Sequence, residues 1–190
     1  KIVYKSELPI YNCYDTNKAL NGNSIREKFG FKESDRVLLF FGYIRHYKGL
    51  DILIEALSIL RKTDPSYKLL VAGESYEDEK IYLNRIYELK LKDAVVMENK
   101  FISNEDVGEY FYASDLVVLP YRTATQSGIL NMAYGFLKPV VITNVGGLAE
   151  FVDRNKTGVI VELSEASSVA AGVQSFFDLR QKVDFTAEIS

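Results

Sequence analysis

The sequence is poor in the residues that mark covalent cross-links and metal sites. Its 190 residues contain one cysteine, Cys13, and one histidine, His46. A single cysteine excludes an internal disulfide and fits a reducing compartment. Because no cluster of histidine and carboxylate residues is present, we expect no bound metal. The sequence also has no signal peptide and no apolar run near the roughly 20 residues of a membrane span, so we expect a cytoplasmic protein.

The chain also lacks an excess of charge of one sign. It has 23 Lys and Arg residues against 26 Asp and Glu residues, and only four prolines. Without a basic block, a nucleic-acid partner is not expected. A hydrophobic content of 47% and a charged content of 26% are typical of a globular protein rather than a disordered one. The length fits one domain, and because the chain begins at Lys1 without a methionine, we interpret it as a domain excised from a longer protein.

What the sequence does contain, from Arg36 onward, is an alternation of short apolar runs and amphipathic stretches. The runs are continuously apolar, which is typical of strands covered on both faces of a parallel sheet. We predict six such strands: Val37–Phe41, Lys68–Ala72, Ala94–Met97, Leu116–Leu119, Val140–Ile142 and Val159–Val161. The expected fold is therefore an α/β domain over residues 36–190, with a doubly wound, mostly parallel, six-stranded Rossmann-like sheet.

Helices are predicted between these strands from the spacing of apolar residues. One covers Leu50–Arg61, and another covers Ile81–Leu91 with a buried face formed by Ile81, Leu83, Ile86, Tyr87 and Leu89. A capping box at Ser103–Asp106 predicts the start of a third helix. Residues 1–35 are interpreted as a linker with a short helix, which a capping box at Ser24–Glu27 begins and Gly30 ends.

Four loops at the carboxyl ends of the predicted strands carry unusual chemistry. Since ligands of open parallel sheets bind at that edge, the loops at 42–49, 73–75, 99–102 and 121–128 should line one crevice. The first loop places Arg45 and Lys48 between two glycines and beside a helix start, where backbone N–H groups favour an anion. This pattern fits a phosphate or diphosphate, and a solvated basic turn is the alternative.

The fourth loop ends in small polar residues before a helix predicted at Ile129–Phe136. Its first N–H groups would face the same crevice, and an ordinary helix cap by Ser127 is the alternative. Two helix starts that converge on one crevice favour the diphosphate. The first loop matches neither the Rossmann glycine fingerprint nor the Walker loop, which argues against those cofactor classes. Glu150 begins another predicted helix, where it either complements the helix dipole or takes part in ligand binding. His46 is interpreted as a loop residue rather than a catalytic base.

Seven stretches occur in an order and at separations that are specific to one family. They are Phe40–Asp51, Leu70–Glu74, Phe101–Ile102, Ala113–Pro120, Lys138–Val141, Thr143–Glu150 and Thr157–Gly158. With them, the chain from about Val37 to Phe177 resembles the C-terminal domain of the group 1, or family 4, retaining glycosyltransferases. The resemblance implies a GT-B fold in which this half binds a nucleoside-diphosphate sugar. The partner would be an N-terminal domain of the same protein, which holds a glycan or lipid-linked acceptor.

The resemblance also implies a metal-independent donor site with no further cofactor. Lys48, helped by Arg45, would hold the diphosphate and stabilise the departing nucleoside diphosphate. The segment 100–102 would border the base, and the backbone at 127–129 would complete the diphosphate site. The other residues assigned to donor binding are Gly42, Gly73, Glu74, Phe101, Ile102, Gln126, Ser127, Gly128 and Ile129.

Three positions depart from the pattern of this family. Tyr43 stands where many members carry an arginine directly after the glycine. Ala124 and Met132 stand where the family often has two glutamates that contact the donor sugar and the ribose. Gln126 or Asn131 would supply neutral hydrogen bonds in their place, with a changed donor preference.

The resemblance points to bacterial surface polysaccharide synthesis, such as capsule or O-antigen, with the enzyme at the inner face of the plasma membrane. Peripheral membrane association would then come through the other domain. Two alternatives are an epimerase-like GT-B enzyme and a non-catalytic nucleotide-binding or regulatory module. On any of these interpretations, this domain alone is expected to bind donor without transferring sugar.

Overall fold

The computed structural model of the protein describes residues 22–189. The predictions for the linker at residues 1–21, and Cys13 with them, lie outside the described residues. Within the described part, no helix combines the length and the apolar composition that crossing a membrane requires.

A six-stranded sheet in the order β3-β2-β1-β4-β5-β6 forms the centre of the structure. All five pairings between neighbouring strands are parallel, which confirms the predicted fold class. Each strand agrees with a predicted apolar run to within one residue at either end. The strands are β1 (Arg36–Phe41), β2 (Tyr67–Ala72), β3 (Val95–Glu98), β4 (Leu116–Leu119), β5 (Val140–Thr143) and β6 (Gly158–Val161).

Helices cover both faces of this sheet. They are α1 (Asn23–Phe29), α2 (Leu50–Leu60), α3 (Lys80–Glu88), α4 (Asn104–Ala113), α5 (Gly128–Gly135), α6 (Ala166–Leu179) and α7 (Phe185–Ile189). Two short 3₁₀ helices cover His46–Lys48 and Leu148–Phe151. The helix predicted to begin at Glu150 is thus a single four-residue 3₁₀ turn.

The alternation of side chains along each strand separates the apolar residues into two cores. On one face, Leu38 and Phe40 of β1 pack with α2 and α6. On the other face, Val37, Leu39 and Phe41 pack with α4 and α5. Because both faces are covered, β1 is buried almost from end to end, which explains why its sequence shows no polar alternation.

The predicted buried face of α3 is only partly correct, because Ile86 and Leu89 contact the core and the other three residues do not. Ile81, Leu83 and Tyr87 are 60%, 44% and 66% exposed, whereas Tyr82 and Ile86 are buried. The apolar spacing therefore identified the helix but not its orientation. Tyr82 and Ile86 contact the neighbouring core because they lie four positions apart, on one side of the helix.

Both predicted capping boxes are also wrong in detail. The Ser24 hydroxyl donates to Glu109 of α4, 2.9 Å away, and Gly22 takes the N-cap position of α1. Ser103 does occupy the N-cap of α4, but its hydroxyl donates to the Asp106 carboxylate instead of accepting from the backbone. Gly30 ends α1 in the left-handed conformation, as expected.

Helix α1 lies in the segment that the sequence analysis assigns to the linker. It packs on α4, where Arg26 Nε donates to Ala113 O at 2.9 Å and the guanidinium pairs with Asp115 at 3.2 Å. These contacts bind the end of the proposed linker to the domain. The division between residues 35 and 36 stays a prediction.

Candidate functional site

The strand order places a crevice between the loops that follow β1 and β4. The chain runs outward from β1 through β2 to β3 and then returns to the other side of β1 as β4. Loops on either side of such a reversal diverge, and ligands bind in the gap at the carboxyl edge. Here the two loops meet at their base, because a Cβ on Gly49 would lie 2.1 Å from Pro120 O. The left-handed Gly49, with φ of 71°, is therefore required for this close approach.

A cavity of about 230 Å³ opens at this edge. We call it the donor pocket, after the residues that the sequence predicts for donor binding. It brings together seven of the eleven residues that the sequence analysis assigns to donor binding: Gly42, Lys48, Gly73, Glu74, Phe101, Ile102 and Ile129. The loops after β1, β2 and β3 thus share one cavity, as expected. The fourth loop, 121–128, contributes no residue to the cavity wall, and Ile129 and Met132 of α5 line it instead.

Five residues of the pocket wall lie outside that assignment: Phe41, Tyr43, Asn104, Val107 and Met132. The helical repeat is the signal that could have found several of them. Met132 lies one turn after Ile129 on α5, and Val107 lies one turn after Asn104 on α4, so each pair shares a helix face. Met132 and Tyr43 are also two of the three positions at which the sequence departs from the family pattern.

Lys48 contributes the pocket's positive charge, and it is buried rather than on the surface. Its exposed fraction is 7%, and within residues 22–189 its ammonium has no ion-pair or hydrogen-bond partner. Burial, and after it the positive charge of nearby Arg45, lowers the pKa of Lys48 from 10.5 to about 8. A partly desolvated ammonium that lacks a counter-charge is costly, and an anion in the pocket would relieve that cost.

Two glycines let the backbone pack tightly around this ammonium. Gly42 has φ of 90°, and a Cβ there would lie 2.9 Å from Ile129 Cδ1 and 3.3 Å from Lys48 Nζ. Gly73 has φ of 143°, and its Cβ would lie 2.3 Å from Gly42 O. Both positions therefore exclude larger residues through contacts inside the protein. Of the two, Gly42 borders the charged group directly.

Arg45 lies outside the donor pocket wall, at its edge. Its side chain is exposed, and its guanidinium carbon lies 4.6 Å from the centroid of the Tyr76 ring. Lys48 ends the 3₁₀ helix that follows, His46–Lys48, and its buried side chain lines the pocket. The two cations of the first loop therefore occupy different positions, one inside the pocket and one beside it.

The fourth loop does not bring its side chains to the pocket. Ser127 is buried and caps α5, accepting a hydrogen bond from Leu130 N at 3.3 Å. Gln126 is exposed and borders a separate small cleft with Asn131. A Cβ on Gly128 would meet open space, and within the described chain the N–H groups of residues 128 and 129 have no hydrogen-bond acceptor. The loop therefore offers backbone donors rather than side chains.

Arg122, the remaining cation of this loop, is already paired. It forms a two-point contact with Asp51, at 2.9 Å and 2.5 Å, and it also donates to His46 O at 2.8 Å. Burial raises the pKa of Asp51, but hydrogen bonds from Arg122 and from the backbone of α2 outweigh this effect and leave the pKa below its usual value. Asp51 thus takes up both the Arg122 charge and the dipole at the start of α2.

Comparisons with known proteins agree with this geometry. Residues 22–187 match the model of the family described as Glycosyl transferases group 1. The chain belongs to this family. A D-inositol 3-phosphate glycosyltransferase of Pseudarthrobacter chlorophenolicus is 28% identical over 143 residues, which are 74% of this chain and 34% of that protein. The chain therefore spans about a third of the length of this curated relative.

Two solved structures share the fold. The C-terminal domain of LpcC, a group 1 family protein of Francisella tularensis, matches with a TM-score of 0.74 at 19% identity, over 90% of this chain and 89% of that one. Anabaena Alr3699/HepE, solved in complex with UDP, matches with a TM-score of 0.75 at 23% identity, over 89% of this chain and 46% of that one. Together these matches place the chain at the C-terminal domain of the GT-B architecture.

Two further residues of this group 1 glycosyltransferase domain lie away from the donor pocket. His46 is exposed and is not part of the pocket wall, and its backbone N–H donates to Glu77 Oε1. Glu150 is exposed on the 3₁₀ helix that starts at Leu148. Within residues 22–189, no three His, Cys, Asp or Glu side chains are grouped as metal ligands.

A larger cavity, of about 650 Å³, lies at the opposite edge of the sheet. Several of its charged groups already have partners: Asp115 contacts Arg26 at 3.2 Å and Arg180 at 3.1 Å, and Lys138 donates to Ser114 O at 2.8 Å. Since this is the amino edge of β4 and β5, it is not where open α/β sheets bind ligands. The smaller donor pocket is therefore the candidate site of the group 1 domain.

Proposed function

We propose that this chain is the donor-binding half of a retaining glycosyltransferase, and that the donor pocket holds a nucleoside-diphosphate sugar. The observation that carries the proposal is Lys48, whose side chain is largely buried and whose ammonium reaches the pocket at the strand-order reversal without an ion-pair or hydrogen-bond partner among the described residues. A diphosphate matches this site because it is compact, strongly anionic and rich in hydrogen-bond acceptors. The match to HepE supports the proposal in fold, and that protein was solved with UDP.

The chemistry follows from where charge develops during transfer. When the sugar leaves, negative charge grows on the nucleoside diphosphate, and groups already oriented toward it lower the barrier. Lys48 would supply a fixed positive charge. The N–H groups at residues 128 and 129 would supply donors on the other side of the crevice, at a helix start that favours anions. We propose that these groups act without a bound metal and without a further cofactor.

The acceptor side belongs to the remainder of the protein. The chain covers 34% of one curated relative and 38% of another, so an acceptor domain is to be expected outside it. We propose that an N-terminal GT-B domain holds a glycan or lipid-linked acceptor at the inner face of the plasma membrane, in bacterial surface polysaccharide synthesis. Family resemblance supports this assignment. A changed surface polysaccharide in a strain that lacks the full-length protein would test it.

Calorimetry tests the donor assignment directly. Titrations of residues 1–190 with UDP, GDP and ADP, each in EDTA and in Mg²⁺, should show binding of at least one diphosphate at about 10–1000 μM, as expected for half of a cleft. The affinity should be the same in both buffers. Binding that requires Mg²⁺ would overturn the metal-independent mechanism, and sugar transfer by these residues alone would overturn the division of labour between two domains.

A further inference from the structure

The structure shows what holds the second cation of the first loop in place. An exposed arginine in a loop ordinarily samples many rotamers, but the Arg45 guanidinium lies over the face of the Tyr76 ring, 4.6 Å from its centroid. An aromatic face attracts a guanidinium electrostatically, and arginine also stacks on it. Tyr76 therefore restricts where the Arg45 charge is found.

Backbone register brings these two side chains to the same side of the loops. Ile44 N donates to Glu74 O at 2.9 Å, and Tyr76 N donates to Ile44 O at 3.2 Å, so the loops after β1 and β2 are joined by a short parallel bridge. The Ile44 side chain is fully buried. In an extended segment the side chains on either side of a buried one point outward, which directs Tyr43 and Arg45 away from the core.

Tyr43 connects this pair to the donor pocket. Its ring meets the Tyr76 ring edge-on, with centroids 4.9 Å apart and planes at 86°, and Tyr43 itself forms part of the pocket wall. Arg45 and Lys48 belong to the same tight turn, since Lys48 N donates to Arg45 O at 2.9 Å. The Arg45 charge accordingly contributes, after burial, to the lowered pKa of Lys48. The three side chains, Tyr43, Arg45 and Tyr76, thus form one cluster at the mouth of the pocket.

We propose that Tyr76 is a positioning residue, which holds the Arg45 guanidinium beside Lys48 so that two cations face the two phosphates of a nucleoside diphosphate. This inference rests on the proposed function. Tyr76 acts here through the face of its ring and not through its hydroxyl. Phenylalanine should therefore replace it, and an aliphatic side chain of similar size should not.

The test compares Tyr76→Leu with Tyr76→Phe, using whichever of UDP, GDP and ADP the parent binds most tightly. Tyr76→Leu should weaken binding of the diphosphate about two- to fivefold, the range for an exposed cation–π pair, and Tyr76→Phe should not. Binding of the matching nucleoside, which has no phosphate, should be unchanged in both variants. In an Arg45→Ala background, Tyr76→Leu should have no further effect.

Tyr87→Leu is a matched control, because the Lys92 ammonium lies 4.6 Å from the Tyr87 ring on α3, outside the donor pocket. It should leave diphosphate binding unchanged. An equal loss from Tyr76→Leu with and without Arg45, or an equal loss for the nucleoside, would overturn the positioning role. Unchanged diphosphate binding by Tyr76→Leu would do the same. A parent that binds none of the three diphosphates would overturn the proposed function itself.

Discussion

The loops after β1 and β4 face each other across the same crevice, but they differ in which of their polar groups already have partners inside the protein. In the β1 loop, Lys48 is buried and its ammonium has no partner within residues 22–189. In the β4 loop, Arg122 is paired with Asp51, and Ser127 caps its own helix. The groups of the β4 loop that have no acceptor within residues 22–189 are backbone N–H groups at the start of α5. One loop therefore offers a side-chain charge to a ligand, and the other offers N–H groups.

The largest expected effect is that of removing the Lys48 ammonium, and it tests whether the β1 loop supplies a charge to the ligand. We expect Lys48→Met to weaken nucleoside-diphosphate binding about tenfold to a hundredfold, because a charge-assisted hydrogen bond is worth roughly 1.5–3 kcal/mol. Calorimetry with the diphosphate and with the matching nucleoside measures this, and the nucleoside should bind both proteins equally. If the variant keeps the affinity of the parent for the diphosphate, Lys48 is not a ligand-binding group.

The same substitution should stabilise the domain. Because burial lowers the pKa of Lys48 from 10.5 to about 8, protonated Lys48 weakens the folded state at neutral pH. Lys48→Met should raise the free energy of unfolding at pH 7 by on the order of 1–3 kcal/mol, if methionine fills the same space. From the sequence alone, a lysine in a loop would be expected at the surface, where its loss changes stability by no more than about 0.5 kcal/mol.

The sign of the pH dependence follows from the two pKa values. Between pH 8 and 10.5 the unfolded chain keeps the Lys48 proton that the folded chain has released, so the parent gains stability with rising pH. The difference between parent and Lys48→Met should therefore shrink over this range. Urea unfolding at pH 7, 8.5 and 10 measures it, and a difference that stays constant across these values would contradict the buried, unpaired ammonium.

For the β4 loop, we expect a side-chain change to affect stability and not binding. Arg122→Ala should cost about 1 kcal/mol of stability, the upper end for a partly exposed ion pair with two-point geometry. Diphosphate affinity should change less than twofold. Arg154→Ala, which removes the more exposed pair with Glu162, is the control and should cost less. A tenfold loss of affinity in Arg122→Ala would show that this arginine leaves Asp51 for the ligand.

The smallest expected effect concerns the backbone of the β4 loop. Gly128→Ala places a methyl group in open space, so stability should rise by about 0.4–1 kcal/mol through the unfolded state. If the N–H groups at the start of α5 contact the diphosphate, the same methyl group should hinder that approach and weaken binding about fivefold. Unfolding curves and calorimetry on one preparation decide this, and unchanged affinity would leave the first loop as the sole contributor.

The fold was predictable because the six strands are buried on both faces. Continuous apolar runs such as 116–119 and 140–142 are too short for a helix and therefore favour buried strands, and the structure has strands there. Orientation was less predictable. Leu83 and Ile86 look alike in the sequence of α3, but only Ile86 is buried, because the position of the helix against its neighbours decides which apolar residue meets the core.

For the site, the sequence alone determined that Gly42, Lys48 and Gly73 follow strands whose carboxyl ends share one edge. That conclusion needs only the parallel arrangement of the strands. Tertiary structure decided which charges are available, since Lys48 and Arg122 are equally cationic in the sequence. Arg122 is neutralised by Asp51, which lies 71 positions away along the chain, whereas the ammonium of Lys48 has no described partner. Pairing of this kind depends on distances in space, which residue order does not specify.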